Sequence, residues 1–131
     1  MTRRELRENI FKMLFRIEFH GEGELPEQLS FFEEEQEQLQ GKDLEYLTEK
    51  CNAVFACVEE LDAAINQVSS GWKTSRMGKV DLTIIRLAVY EMRHEEDIPV
   101  AVSINEAVEL AKRYGTDASP SFVNGILAKL T

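Results

Sequence analysis

Between Leu44 and Val68 the apolar residues Leu44, Leu47, Cys51, Val54, Val58, Leu61, Ile65 and Val68 recur at alternating steps of three and four. A strand cannot use that spacing, because its side chains change face at every residue. A helix puts all of them on one stripe, suited to shallow-angle packing along neighbouring helices. The stripe reads as a bundle core rather than an intermolecular coiled coil. The pattern runs from Asp43 to about Ser70. That is long for a globular helix, so a kink or break is expected near Glu59–Asp62.

The rest of the chain also reads as helix. Residues 3–19 carry Leu6, Ile10, Phe11, Met13, Leu14 and Ile17 at helical spacing. Pro26 suits the first position of a short helix to about Leu39, with a thin apolar face at Leu29, Phe32 and Leu39. Residues 80–94 are apolar nearly all round, which predicts a central buried helix. Ser103 and Glu106 have the spacing of a capping box, so a helix is expected to start there and stop at Gly115. The last stretch, SPSFVNGILAKLT, is ambiguous. Asn124–Gly125 suggests a hairpin turn, whereas Ser119 and Pro120 suggest an N-cap and a first helical residue. Hairpin strands would be only two residues long here, so helix is the better reading. Gly125 then costs about 1 kcal/mol relative to alanine. Close approach of the 80–94 helix is the expected compensation, with Gly125→Leu overpacking the contact. The fold class is therefore all-α, with six or seven helices.

The formal net charge is −9, but it is unevenly spread. Residues 18–49 hold eleven acids against Lys42 alone. Three segments are basic: 3–16, 72–94 and 111–131. They could form a local positive patch, although composition by itself favours ordinary solvated charge. Lys12, Arg16 and Glu18 interrupt any leader-like apolar run at the start, and no run reaches membrane-span length. A cytoplasmic protein is expected.

The residues offer little chemistry. There is no phosphate-binding glycine loop and no paired metal-ligand motif. His20 and His94 each sit at an expected helix end without a companion in sequence. Cys51 belongs to the apolar stripe, and Cys57 has no sequence-near histidine to activate it. The expectation is a binding protein with no enzyme activity, metal or cofactor. Arg3, Arg4 and Arg7 cluster at the start of the first helix, with Arg3 and Arg7 as i,i+4 neighbours. Arginine offers a planar donor fork suited to phosphate. Tyr114 and Phe122 flank the junction before the last helix and could stack on an unpaired base. Periodicity instead puts Phe122 on the core stripe with Ile126 and Leu130.

Three stretches, RLAVYEM (86–92), DIPVAVSINEAVELAKRYG (97–115) and SFVNGIL (121–127), together resemble the NusB family of bacterial transcription antitermination factors. The start, RRELRENIFKMLFRIEF, is similar to that family's arginine-rich opening, while residues 20–70 match only in helical pattern. The resemblance implies a NusB-like bundle of about seven helices in a single RNA-binding domain, 1–131, with subdomains of roughly 1–70 and 71–131. It implies three partners: the ribosomal small-subunit protein NusE, single-stranded boxA RNA of ribosomal RNA operon transcripts, and the antitermination complex of RNA polymerase. Some members also form homodimers.

By position, the resemblance implies RNA contacts at Arg3, Arg4, Arg7, Asp117, Ser119 and Phe122. Lys73 and Arg76 are added as phosphate contacts, and Arg86 as either an RNA contact or a structural ion-pair partner. Phe15 and Asp81 match positions used against NusE, Phe15 standing where tyrosine is common. Glu5 stands where the family often has another arginine. The alternatives are an RNA-targeting module of a ribosomal RNA cytosine methyltransferase, or a protein-only adaptor docking through its acidic block.

Overall fold

Thr2 and Glu5 start the first helix by capping one another. The Glu5 N–H donates to Thr2 Oγ1 at 3.1 Å, and the Thr2 N–H donates to Glu5 Oε1 at 3.2 Å. This is a capping box, in which two orphan N–H groups of a helix start are satisfied reciprocally. From it runs α1 (Arg3–His20), followed by α2 (Gly41–Ala56), α3 (Val58–Val68), α4 (Lys79–His94), α5 (Val100–Tyr114) and α6 (Ser119–Ala128). A 3-10 turn, Thr74–Arg76, lies between α3 and α4.

The computed structural model describes residues 1–20, 27, 28, 30, 34 and 39–131. Among them there is no strand, and the α-helices that can be followed number six rather than about seven. The helix expected over 26–39 falls mostly outside the described residues; Glu27, Gln28, Ser30 and Glu34 are helical.

The chain divides into two compact units, Met1–Ala56 and Cys57–Thr131. The division comes where α2 gives way to α3, earlier than the sequence boundary near 70. The long apolar stripe breaks at Cys57, the N-cap of α3, slightly before the expected Glu59–Asp62. In the first unit α1 packs on α2. Ile10, Phe11, Met13, Leu14 and Ile17 meet a face of Leu47, Cys51 and Val54, all buried. The N-terminal ammonium reaches Asp43 Oδ2 at 3.3 Å, tying the arginine-bearing end of α1 to the start of α2.

In the second unit α4 is the centre, packed by α3, α5 and α6. Leu82, Ile84, Ile85, Leu87, Ala88 and Val89 are all buried, as an all-round apolar helix requires. Burying each large aliphatic side chain is worth about 1.5–3 kcal/mol. Polar contacts also set how α4 sits. Arg86 grips Asp62 of α3 bidentately, Nε to Oδ1 at 2.8 Å and NH2 to Oδ2 at 2.7 Å. Ser103 of α5 donates its hydroxyl to Glu91 Oε1 at 2.9 Å, both residues being buried.

The Ser103 contact corrects the expected capping box at Ser103–Glu106. The helix begins earlier, at Val100 with Pro99 at its N-cap, and Ser103 faces inward. The start of α6 also differs by one residue, with Ala118 at the N-cap and Ser119 already helical. The Ser119 hydroxyl reaches back instead, accepting from the Thr116 N–H at 3.0 Å. Gly115 ends α5 as expected, for a reason of space rather than backbone sign. A Cβ there would collide with the Ser119 side chain and lie 2.9 Å from the Ala111 carbonyl oxygen.

The Arg86–Asp62 pair makes a direct test of this packing. Its side chains are 14% and 21% exposed, so loss of one strands the other in poor solvent. Asp62→Ala is expected to cost roughly 2 kcal/mol in urea unfolding, in the range for hydrogen bonds to charged groups. A loss within the error of the extrapolation would show that the pair does not hold α3 to α4.

Candidate nucleic-acid interface

The arginines sit where the capping box puts them. Arg3 and Arg4 are exposed on the first turn of α1, and Arg7 is half-buried one turn on. Glu5, which interrupts the run, is the capping acid. The Thr2 N–H it accepts, and then the Thr2 hydroxyl, hold its carboxyl below the ordinary range. It therefore remains an anion among cations, where it serves as the capping acid of α1.

The second unit offers an aromatic surface. Gly71 adopts φ +80°, a conformation that favours glycine, and so turns the chain out of α3. Trp72 follows, 56% exposed, the largest apolar side chain left so open among the described residues. Its ring meets Phe122 of α6 edge to face, with centroids 6.5 Å apart and planes at 76°. Around them lie Ser69, Ser70, Ser121, Gly125, Ile126 and Lys129, lining an open recess of about 230 Å³. That is below the usual size of an enclosed small-molecule pocket. Its shape is a platform, suited to one planar group laid against two rings.

Gly125 belongs to this platform. It is exposed, and a Cβ there would meet nothing within 4 Å. The expected close approach of the 80–94 helix does not exist, so Gly125 is not a packing glycine and a larger residue would not overpack the core. Its helical cost leaves the recess open instead.

Lys73 and Arg76 are exposed on the next turn of chain. That turn is fastened by Asn66 Oδ1, which accepts the Thr74 N–H at 2.9 Å. Lys129 Nζ reaches the Val68 carbonyl at 3.4 Å from the other rim of the recess. Asp117 is exposed in the turn between α5 and α6. Arg86 and Ser119 are held by internal partners, Asp62 and Thr116, so their side chains have structural roles here and stand outside the interface proposed below. Phe15 is half-buried on α1 against Phe11, with centroids 6.0 Å apart. Asp81 is half-buried in the first turn of α4.

The cysteines do not suggest nucleophilic catalysis. Burial pushes the Cys51 thiol up to about 12. Burial, and then the neighbouring Glu60 carboxylate, also push Cys57 up. No helix among the described residues is long and apolar enough to cross a membrane.

A model of the NusB family matches residues 4–131. The chain belongs to the NusB family. The "Transcription antitermination protein NusB" of Agathobacter rectalis is 58% identical over 129 residues, 98% of each chain. The solved structure of T. maritima NusB superposes with a TM-score of 0.90 at 36% identity, covering 99% of this chain and 90% of that one. A crystal structure of the antitermination factors NusB and NusE in complex with dsRNA gives a TM-score of 0.83 at 26% identity, covering 99% and 97%.

Against the NusB-derived expectations, the aromatic platform adds Trp72 and Lys129. A lone tryptophan between a glycine and a lysine, in a polar loop, was the available sequence signal for the first. Nothing in sequence joins Lys129 to that loop, because α4 and α5 separate them. Because Gly125 faces open space, Gly125→Ala is expected to raise stability by up to about 1 kcal/mol. A lowered melting temperature would place a neighbour against α6 that this structure does not contain.

Proposed function

We propose that this chain binds single-stranded boxA RNA of ribosomal RNA operon transcripts together with NusE, and promotes read-through by RNA polymerase in the cytoplasm. The observation that carries the reading is the platform of exposed Trp72 against half-buried Phe122, in a chain of the NusB family. An exposed aromatic such as Trp72 costs solubility and finds a use where unstacked bases need a surface. Lys73, Arg76 and Lys129 supply cations in the same unit, and Arg3, Arg4 and Arg7 supply them at the start of α1. Asp117 lies in the turn leading to α6 and is assigned to positioning rather than to phosphate contact. Phe15 and Asp81 are assigned to the NusE surface, where Phe15 offers an apolar ring without a hydroxyl.

NusE has a physical role in this reading. A chain of net charge −9 repels a polyanion at long range, so a basic partner sharing the RNA raises affinity. The relative that matches across 98% of both chains carries the antitermination name, which favours this reading over a methyltransferase targeting module.

Fluorescence anisotropy on labelled boxA RNA tests the proposal. Binding should be weak for this chain alone and tighter with NusE; no binding under either condition would refute it. Variants at the start of α1 then test the charge argument. Arg4→Glu should weaken binding and flatten its salt dependence by about 0.7 in the log–log slope for one lost single-strand phosphate contact. Glu5→Gln keeps the capping geometry and removes an anion, so it should tighten binding. An unchanged slope in the first variant and unchanged affinity in the second would take α1 out of the RNA surface.

A further inference from the structure

One cluster lies outside the interface proposed above. Cys57 Sγ, a Glu60 carboxylate oxygen and a His94 ring nitrogen all lie within 4.8 Å of one another. Cys57 is the N-cap of α3, Glu60 lies in its first turn, and His94 is the last residue of α4. The spacing of Cys57 and Glu60 puts both on one face of α3. The Arg86–Asp62 pair fixes the register that brings α4's end to that face. The Tyr90 ring stacks on His94, with centroids 5.1 Å apart and planes at 28°, and limits how the imidazole can turn.

We propose that Cys57, Glu60 and His94 form a binding site for a zinc-class divalent cation, with a solvent molecule as the fourth ligand. Bond lengths of about 2.0–2.3 Å to N, O and S put tetrahedral ligands roughly 3.3–3.7 Å apart. His94 Nε2 and Glu60 Oε1 are already 3.3 Å apart, so the remaining closure is a small side-chain movement of Cys57. The donor set selects the ion class. A thiolate with an imidazole suits zinc, whereas calcium and magnesium require oxygen ligands throughout. Arg93 NH1, 3.9 Å from Glu60 Oε1, competes for the same carboxylate. It is 45% exposed and can turn to solvent when the ion binds. His94 lies far along the chain from the Cys-x-x-Glu pair, so only the packing of α3 on α4 joins the three. A bound ion would tie the first turn of α3 to the last turn of α4, at the far end of the contact that Arg86 and Asp62 hold.

The test is titration of the chelator-treated full chain with Co²⁺, reading the thiolate-to-cobalt charge-transfer absorption, followed by displacement with Zn²⁺. One equivalent should saturate the band, and Zn²⁺ should abolish it. Cys57→Ser should remove the band, and Glu60→Gln and His94→Gln should each weaken binding by more than about tenfold, the loss that even an outer-shell partner can cause. Circular dichroism of the variants checks that they remain folded, as expected for side chains at a helix edge. Absence of the band, its survival in Cys57→Ser, or unchanged affinity in His94→Gln would each overturn the proposal. Binding without the band would assign the ion to the acidic surface and overturn it equally.

Discussion

The bidentate grip of Arg86 on Asp62 orients the second unit. Apolar burial alone would let α4 rotate among similar packings, because it is hydrophobic on nearly every side. A planar guanidinium matched to one carboxylate selects one register against α3. The Glu91–Ser103 contact does the same against α5. Features on the surface follow from those choices. The loop from α3 to α4 is held over α6, so Trp72 meets Phe122. At the other end, His94 is brought beside Glu60 and Cys57.

Helical class was legible because period 3.6 dominates the chain, and α4 was identified by its lack of a polar face. Helix starts were less legible. Ser103 and Glu106 satisfy the capping-box pattern, yet the chain enters the helix at Pro99 and uses Ser103 to satisfy a buried carboxylate. Tertiary demand for a hydrogen-bond donor overrode a local pattern. The capping box that does form, at Thr2 and Glu5, lies in a stretch that reads first as a charge cluster. Gly125 shows a related confusion. A glycine inside a helix marks a place without a side chain, but sequence does not say whether the space is filled by a neighbour or left open.

The candidate site was partly legible. Arginines at the helix start and Phe122 carry local signals and a family resemblance. Trp72 and Lys129 join Phe122 only through packing of α3, α4 and α6, so their alliance is a tertiary fact. Arg86 and Ser119 lie in matching motifs, but motif membership does not separate a residue that builds a surface from one that contacts a ligand. Burial and hydrogen-bond partners do. Much of the acidic charge lies in residues 18–49, outside the basic segments, so the repulsion of RNA is a long-range effect rather than one built into the candidate contacts.

The proposed function depends most on an unpaired RNA base resting on the Trp72–Phe122 platform. Trp72 is the only tryptophan in the chain. Fluorotryptophan incorporated into this chain alone therefore gives one fluorine resonance that reports on the platform even with NusE present. Titration of the NusE complex with boxA RNA should shift that resonance in step with binding measured by anisotropy, and Phe122→Ala should weaken both together. Tight binding that leaves the Trp72 resonance unmoved would place the RNA bases elsewhere and rule the platform out.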